Sequence, residues 1–228
     1  MSSVAQQMLL VSGNAPATIA FQGAYIPSGS GTMTQTGVSF GAVRPRRLII
    51  VVVMWSAALG DVITSATIGG ITASIALVGT SLGSSSPVRC LAMLTAYVPT
   101  GVTGTVVVNL ANTGQGDGRF FVYQATNIQS QVPFGTGAGA SGTTPTSATC
   151  NLKANGIVLA AANTNTVGPF TWTGVAQDYD TSPGVGQNNG GGSALPPSSV
   201  TAASFQFSDP GGTSGGGPIR SLIVASFR

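Results

Sequence analysis

The stretch LIIVVVMW, at positions 48–55, decides the fold class of this chain. It contains five β-branched residues in a row, and such residues favour strands because their side chains pack well on a pleated surface. The apolar run from 48 to 59 spans 12 residues, whereas a membrane-spanning helix needs about 20. The stretch is therefore predicted to be a buried central strand, and no membrane association is expected.

The rest of the chain consists of short β-rich runs separated by Gly, Ser, Thr, Pro and Asn. No long stretch keeps an apolar period of 3.6 residues, which argues against helices. About a dozen short strands with regularly spaced turn signals are typical of a β-sandwich or jelly roll. We therefore predict an all-β single domain, a two-sheet, jelly-roll-like β-sandwich. Its best large core candidates are Phe21, Phe40, Trp55, Phe121, Trp172, Phe205 and Phe227.

Two dipeptides indicate turns. Gly69-Gly70 divides two short strand-like runs and predicts a tight hairpin or a bulge. Asn155-Gly156, a favoured hairpin dipeptide, predicts that the runs 147–152 and 157–162 pair with each other.

Domain boundaries follow from composition. Residues 1–15 are predicted to form an N-terminal arm, and residues 16–228 the β-sandwich domain. The start of the chain has no positively charged region, and its apolar run covers only positions 8–11, so it does not read as a secretory signal. Two glycine-rich segments, 135–146 and the longer 180–199, are predicted to be loops.

The ionisable side chains argue against catalysis. The chain has no His and no Glu, Lys153 is its only Lys, and its five acids are all Asp. Proton transfer near neutral pH usually needs a His or a tuned carboxylate, and metal sites usually need clusters of His, Cys, Asp and Glu. We therefore predict a protein that is not an enzyme, with no catalytic residues, no metal and no cofactor.

Low charge points to self-association. Charged residues make up 6% of the chain, and the net charge is +3; an average soluble protein has about 25% charged residues. Such a surface suits a protein that packs against copies of itself, so a homo-oligomer is expected. The one basic cluster, Arg44, Arg46 and Arg47, is too small for direct nucleic-acid binding and is interpreted as a gatekeeper before the central strand or an intersubunit contact.

Cys90 and Cys150 lie in separate apolar runs. Two buried free thiols are the expected state, and a disulfide between them stays possible because sequence does not test its geometry.

Asp178 and Asp180, in QDYDTSPG, form the only close acidic pair. Alternate residues of a strand share a face, so both carboxylates could bind Ca²⁺ or act in glycoside hydrolysis. The surrounding Gly, Ser, Thr and Asn favour the alternative of a solvated loop in which both residues support turns.

Four segments together resemble a known group of proteins: GVSFGAVRPRRLIIVVVMW (37–55), SATIGGITASIALVGT (65–80), AYVPTGVTGTVVVNL (96–110) and RFFVYQATNI (119–128). They are similar to small β-rich proteins encoded among the virion genes of tailed bacteriophages and prophages. That group typically shows an "rRlivVav" strand, a "vtIGGvaAt" hairpin and an "avPtGttgtVvv" strand pair. Weaker similarity runs through CNLKANGIVLAAA, PFTWTG and SLIVASFR, and the first 15 residues have no counterpart.

The resemblance implies a virion component with no catalytic residues to transfer. The expected function is a non-enzymatic structural protein, either capsid decoration or cement, or part of a tail or fibre. Its partners would be copies of itself and other virion proteins. It would be made in the bacterial host cytoplasm and reside in the extracellular particle.

An alternative function is a receptor- or glycan-binding adhesion module of the virion, since jelly rolls often serve as lectin domains. Stacking of a host surface glycan on Trp172, Tyr179 or Tyr123, with Asp178 and Asp180 nearby, would supply recognition. A third hypothesis, a glycan hydrolase, would use Asp178 and Asp180 as its acids.

Overall fold

The described part of the chain contains strands and no helix, and it therefore holds no helix that could span a membrane. The computed structural model describes residues 15–57, 61–79, 88–112, 118–166, 168–184, 187–210 and 219–228. The all-β prediction is confirmed. The strands are β1 (Thr18–Tyr25), β2 (Thr32–Ser39), β3 (Leu48–Ala57), β4 (Ile63–Ile68), β5 (Ile71–Thr72), β6 (Ser74–Val78), β7 (Val88–Tyr97), β8 (Thr103–Leu110), β9 (Arg119–Thr126), β10 (Gly135–Ser141), β11 (Thr146–Leu152), β12 (Ile157–Thr164), β13 (Thr171–Thr173), β14 (Ala176–Gly184), β15 (Gln187–Ala194), β16 (Val200–Ser208) and β17 (Arg220–Phe227).

The strands form four antiparallel sheets. Sheet A has the order β1-β9-β3-β7-β6, and sheet B has the order β2-β8-β4-β5. Sheet C has the order β10-β17-β12-β15-β14, and sheet D has the order β11-β16-β13. Sheets A and B form a first sandwich from residues 18–126, and sheets C and D form a second sandwich from residues 135–227. Residues 127–134, here called the junction segment, connect the two.

Three hydrophobic cores place the sheets in the sequence B, A, C, D. Alternate residues of β3 show this: Ile49 and Val51 lie in the core between sheets A and B, whereas Ile50 and Val52 lie in the core between sheets A and C. Strand β12 is likewise covered on both faces. The prediction of a buried central strand at 48–55 is therefore confirmed.

The prediction of two sheets differs from the four that the structure contains. The physical reason is that both large sheets have two apolar faces. One face of sheet A packs on sheet B, and the other needs a second partner, which sheet C provides. Five of the seven predicted core aromatics are buried, while Phe21 and Trp172 are half-buried and pack against the cores.

Both sandwiches pair their strands in the same nested way. In the first, β1 pairs with β9, β2 with β8, β3 with β7 and β4 with β5. In the second, β10 pairs with β17, β11 with β16 and β12 with β15. Each half of the chain is thus a long antiparallel hairpin folded across two sheets, and the same topology occurs twice.

Both glycine-rich segments that the sequence predicts to be loops contain strands. The segment 180–199 holds the end of β14 and all of β15, which pairs with β12 and β14. A Cβ on Gly190 would collide with the ring of Phe170, and one on Gly191 would collide with the ring of Tyr179. Glycine is needed there because aromatic rings lie directly on the strand.

The segment 135–146 begins with β10, the edge strand that pairs with β17. A Cβ on Gly135, Gly137 or Gly139 would meet backbone carbonyls of β11. The alternating glycines therefore let β11 cross close to β10 at the corner between sheets C and D. The predicted N-terminal arm lies, apart from Ala15, outside the described residues.

Candidate functional site

The acidic pair on β14 does not share a face. Pairing with β15 shifts register between Gln177 and Tyr179, so Asp178 is the extra residue of a β-bulge. A bulge breaks the alternation of side chains along a strand. The Asp178 carboxyl lies beside Tyr123 of sheet A, whereas Asp180 accepts a hydrogen bond from the backbone N–H of Phe170 at 2.7 Å. The two carboxylates therefore lie in different surroundings and do not form one site.

The predicted glycan-stacking residues are not in one exposed site. Tyr179 is 6% exposed and lies in the core between sheets A and C, where it stacks on Phe121. Trp172 packs instead against Phe170 and Phe207, at the core between sheets C and D. Tyr123 is fully buried. The rings of Tyr179 and Tyr123 are therefore closed to a ligand in this fold, whereas Trp172 is half-buried, and glycan stacking on Trp172 stays a prediction.

Burial raises the pKa of Asp178, and Ser193 and Tyr123 oppose that shift. The same burial, together with Tyr179 and Asp178, raises the pKa of Tyr123. A carboxyl in this position is a poor match for glycoside hydrolysis, which needs a second carboxyl across the scissile bond. Asp180, the only nearby candidate, points toward the Phe170 backbone.

Arg47 is enclosed rather than displayed at the surface. Its side chain is 0% exposed. Its guanidinium donates to the carbonyls of Val98, Gly41, Thr100 and Gly101 at 2.6–2.9 Å, and to that of Phe40 at 3.4 Å. Its fork of donors joins two loops, 40–47 and 98–102, at one end of the first sandwich, so Arg47 is not displayed for an intersubunit contact; for the exposed Arg44 and Arg46 the gatekeeper and intersubunit interpretations stay predictions.

Two further acids also have structural partners. Asp209 and Arg220 form a buried bidentate ion pair, with both N–O distances at 2.7 Å. Asp61 accepts a hydrogen bond from the backbone N–H of Asn112 at 2.9 Å. Over the described ranges, no group of three or more His, Cys, Asp or Glu residues could hold a metal ion.

Cys90 and Cys150 are buried free thiols, as expected. Cys90 lies in the core between sheets A and B, and Cys150 in the core between sheets C and D. Two intervening sheets separate them, which excludes a disulfide between them in this fold.

A cleft of about 360 Å³ lies at the junction segment, beside the turn that follows β11. Its lining residues are Gln129, Ser130, Val132, Pro133, Phe134, Lys153 and Arg228. Phe134 is 51% exposed, and the Lys153 ammonium lies 5.9 Å from the centre of its ring. We call this the junction cleft. It combines an exposed aromatic ring with two cations, a set that can stack a ligand and bind an anion.

Both sandwiches hold the junction segment in place. From the second, the backbone carbonyl of Arg228 accepts from the backbone N–H of Gln129 at 2.9 Å, and the backbone carbonyl of Ser226 accepts from that of Phe134 at 2.8 Å. From the first, Arg46 donates to the Gln129 carbonyl at 3.1 Å, and the Thr95 hydroxyl donates to the Gln131 carbonyl at 3.0 Å. The junction segment is thus fixed by backbone bonds to the second sandwich and by side-chain bonds from the first.

A second feature is β6, which is an edge strand of sheet A among the described residues. Ile75 is 43% exposed and Val78 is 53% exposed. Val132, 63% exposed, lies next to Gln131, whose amide donates to Ser74 at the start of β6 at 3.1 Å. We call Ile75, Val78 and Val132 the β6 patch. The β6 sequence, SIALV, contains no charge and no proline.

The equivalent edge in the second sandwich is β14, and it differs in composition. It contains Asp178, Asp180 and Pro183, and its pairing shifts register twice. Charges, prolines and bulges are the features by which edge strands avoid pairing with other chains. β6 has one register shift but no charged residue and no proline.

Sequence reasoning missed both features. Lys153 and Phe134 lie 19 positions apart, and no local pattern brings them together. The sole lysine of the chain, placed in a turn, was the one available signal. Comparison with protein-family models, curated proteins and solved structures found no match to this chain.

Proposed function

We propose that this protein is a non-enzymatic structural component of a bacteriophage virion, acting through contacts with copies of itself and with other virion proteins. The observation that carries the proposal is the difference between the two equivalent edges. The β14 edge has charges, a proline and two register shifts, whereas β6 presents Ile75 and Val78 without any charge. An unprotected apolar edge is a template for pairing with another chain.

A second copy of the chain is the simplest partner for β6. Antiparallel pairing of β6 with itself is self-complementary and produces a closed two-fold contact. Such pairing would satisfy the free backbone groups of the edge and cover Ile75 and Val78. No charge within SIALV opposes it.

The placement of the charges supports a non-enzymatic function. Arg47, the Asp209–Arg220 pair and Asp180 are engaged in holding loops and strands together. Low surface charge also suits a repeated interface, because unpaired charges are costly to bury.

We also propose that each sandwich is a jelly roll. The nested pairing of β1–β9, β2–β8 and β3–β7 is what folding one long hairpin into two sheets produces, and the second sandwich repeats it as β10–β17, β11–β16 and β12–β15. Jelly rolls consist of two sheets with Greek-key connections and recur in viral capsid and lectin domains. The protein would then be a tandem pair of such units.

The test of self-association is the mass of the full chain in solution. We expect an oligomer by sedimentation velocity, and we expect Val78→Lys to shift it toward the monomer. Val62→Lys is the matched control, because Val62 is also 53% exposed but lies outside the β6 patch. A monomeric wild-type protein, or a Val78→Lys variant with unchanged mass, would contradict the proposed contact.

The test of the virion assignment is the amount and position of the protein in a purified particle. We expect a fixed, high copy number by quantitative mass spectrometry and ordered density for both sandwiches by cryo-electron microscopy. Absence from purified particles would contradict the assignment, whatever the mass in solution.

The second candidate function is glycan binding by the virion. Among the proposed binding features, the junction cleft favours it, because Phe134 offers a half-exposed ring beside Lys153 and Arg228. A few copies at a tail tip would favour this function, whereas many copies over the head would favour decoration.

A further inference from the structure

We infer that the junction cleft binds an acidic saccharide, with a carboxylate on Lys153 and Arg228 and a sugar ring against Phe134. This inference rests on the second proposed function, glycan binding; Val132 lines the junction cleft and also belongs to the β6 patch, but the variants that test the two proposals change different residues. It names the class of ligand that the cleft would take.

The charge of the cleft selects an anion. Lys153 and Arg228 both line it, and Arg46, which does not line it, donates to the carbonyl of the lining residue Gln129. The Asp side chains of the described residues lie elsewhere: Asp61 contacts Asn112, Asp180 contacts Phe170, Asp209 contacts Arg220, and Asp178 lies beside Tyr123. The cleft cations are therefore not neutralised by these carboxylates. The Arg228 guanidinium makes one long bond, at 3.4 Å, to the Asn155 carbonyl, so most of its donors stay available.

The aromatic ring selects a ligand with an apolar face. Phe134 is held by its own backbone bond to Ser226 and remains 51% exposed. Leaving an aromatic ring half in water forgoes stabilisation that burial would provide. Sugar rings have apolar faces of C–H groups that can pack on such a ring, while their hydroxyls bind neighbouring polar groups such as Gln129 and Ser130.

The size of the cleft favours a short saccharide over a nucleic acid. Its volume of about 360 Å³ is at the lower end of small-ligand pockets. Nucleic-acid binding requires many phosphate contacts along a surface, and this cleft has two lining cations. A carboxylate accepts paired hydrogen bonds from an arginine, which suits Arg228.

The floor of the site is formed before any ligand binds. Backbone bonds from Ser226 and Arg228 hold one side, and side-chain bonds from Arg46 and Thr95 hold the other. Such preorganisation reduces the ordering cost of binding. Because both sandwiches contribute, the site depends on their packing together.

The experiment is calorimetric titration of the full-length protein with tetragalacturonate at low ionic strength. Its fully methyl-esterified form, which keeps the sugar rings but lacks the charge, is the matched ligand control. We expect tetragalacturonate to bind, the ester to bind at least about tenfold more weakly, and added salt to weaken binding. Sodium phosphate, titrated alone, distinguishes a saccharide site from a general anion site.

Variants localise the binding. Lys153→Gln and Phe134→Leu, both at exposed positions, should each weaken tetragalacturonate binding at least about tenfold. Arg44→Gln, which removes an exposed cation outside the cleft, should leave it unchanged. Equal binding of the ester would overturn the acidic preference while leaving glycan binding in place. Failure to bind either saccharide would overturn both the acidic preference and glycan binding at this cleft. Phosphate binding as tight as tetragalacturonate would overturn the saccharide assignment.

Discussion

The ring of Tyr179 lies flat on the ring of Phe121, with centroids 3.9 Å apart and planes inclined by 6°. Phe121 belongs to sheet A of the first sandwich, and Tyr179 to sheet C of the second. The stack therefore joins the two halves of the chain. Gly191 makes it possible, since a side chain there would occupy the space of the Tyr179 ring.

Removing the ring of Tyr179 should destabilise the protein. We expect Tyr179→Ala to lower the free energy of unfolding by about 3–5 kcal/mol, because it leaves a cavity between the sheets. Tyr179→Phe is the control: the Tyr179 hydroxyl is buried and has no hydrogen-bond partner among the described residues. That variant should be at least as stable as the wild type in urea unfolding. A large loss from Tyr179→Phe would show that the hydroxyl has a partner.

Replacing Arg47 should cost more than replacing its neighbour. Arg47→Ala leaves five backbone carbonyls without their donor, and each buried unsatisfied group costs about 1–3 kcal/mol. We expect a loss of at least about 4 kcal/mol, or failure to fold, with a smaller loss for Arg47→Lys.

Arg46→Gln serves as the control, because Arg46 is exposed and makes one hydrogen bond, to Gln129, among the described contacts. Its effect on the free energy of unfolding, measured by urea denaturation, should be within about 0.5 kcal/mol. Equal losses from the two replacements would contradict the special position of Arg47.

Asp178→Asn should stabilise the protein at neutral pH. Burial raises the pKa of Asp178 above its usual value, so the folded state binds a proton more tightly than the unfolded state. Stability contributed by this group is present below the unfolded pKa and is lost as pH rises through the folded pKa. Asn carries no charge and avoids that loss.

We expect Asp178→Asn to raise Tm by about 1–3 °C at pH 7, with the difference shrinking toward pH 3. Asp180→Asn is the control, because its side-chain oxygen can still accept from Phe170, and it should give no such gain. A pH-independent difference for Asp178→Asn would contradict the proposed cause.

The two cysteines should be unreactive in the folded protein. Burial, reinforced by Asp61 and opposed by Arg89, raises the pKa of the Cys90 thiol to about 11, and burial also raises the pKa of Cys150. Thiolates are the reactive form. We expect almost no reaction with a disulfide reagent at pH 8 and two titratable thiols after unfolding in denaturant without reductant. Finding none after unfolding would indicate a disulfide.

Turn signals illustrate how far local sequence patterns extend. The tight turn predicted at Gly69-Gly70 is confirmed, since both residues have positive φ and Ile68 pairs with Ile71 across them, but the run 73–78 predicted to follow it forms β6 and pairs with β7 in sheet A. The Asn155-Gly156 turn also forms, with positive φ at Asn155, but the strands it connects do not pair. β11 enters sheet D and β12 enters sheet C. The dipeptide specified that the chain turns at 155–156, whereas strands distant in sequence decided which sheet β11 and β12 each join.

The prediction of loops from glycine content was wrong for a related reason. Segments rich in glycine are typical of loops, yet β10 and β15 are strands. At Gly137 and Gly191 the missing side chain makes room for a carbonyl and a ring from remote residues. A sequence pattern cannot reveal this, because the reason lies in the neighbour.

By itself the sequence determined the all-β class, the buried strand at 48–55 and most of the aromatic core, because β-branched runs and apolar content express local preferences and the need for burial. Only the tertiary structure decided that four sheets stack, that Arg47 is enclosed by loop carbonyls and that Phe134, Lys153 and Arg228 line one cleft. Those features depend on contacts between residues far apart in the chain, and such contacts are set by how the sheets pack on one another.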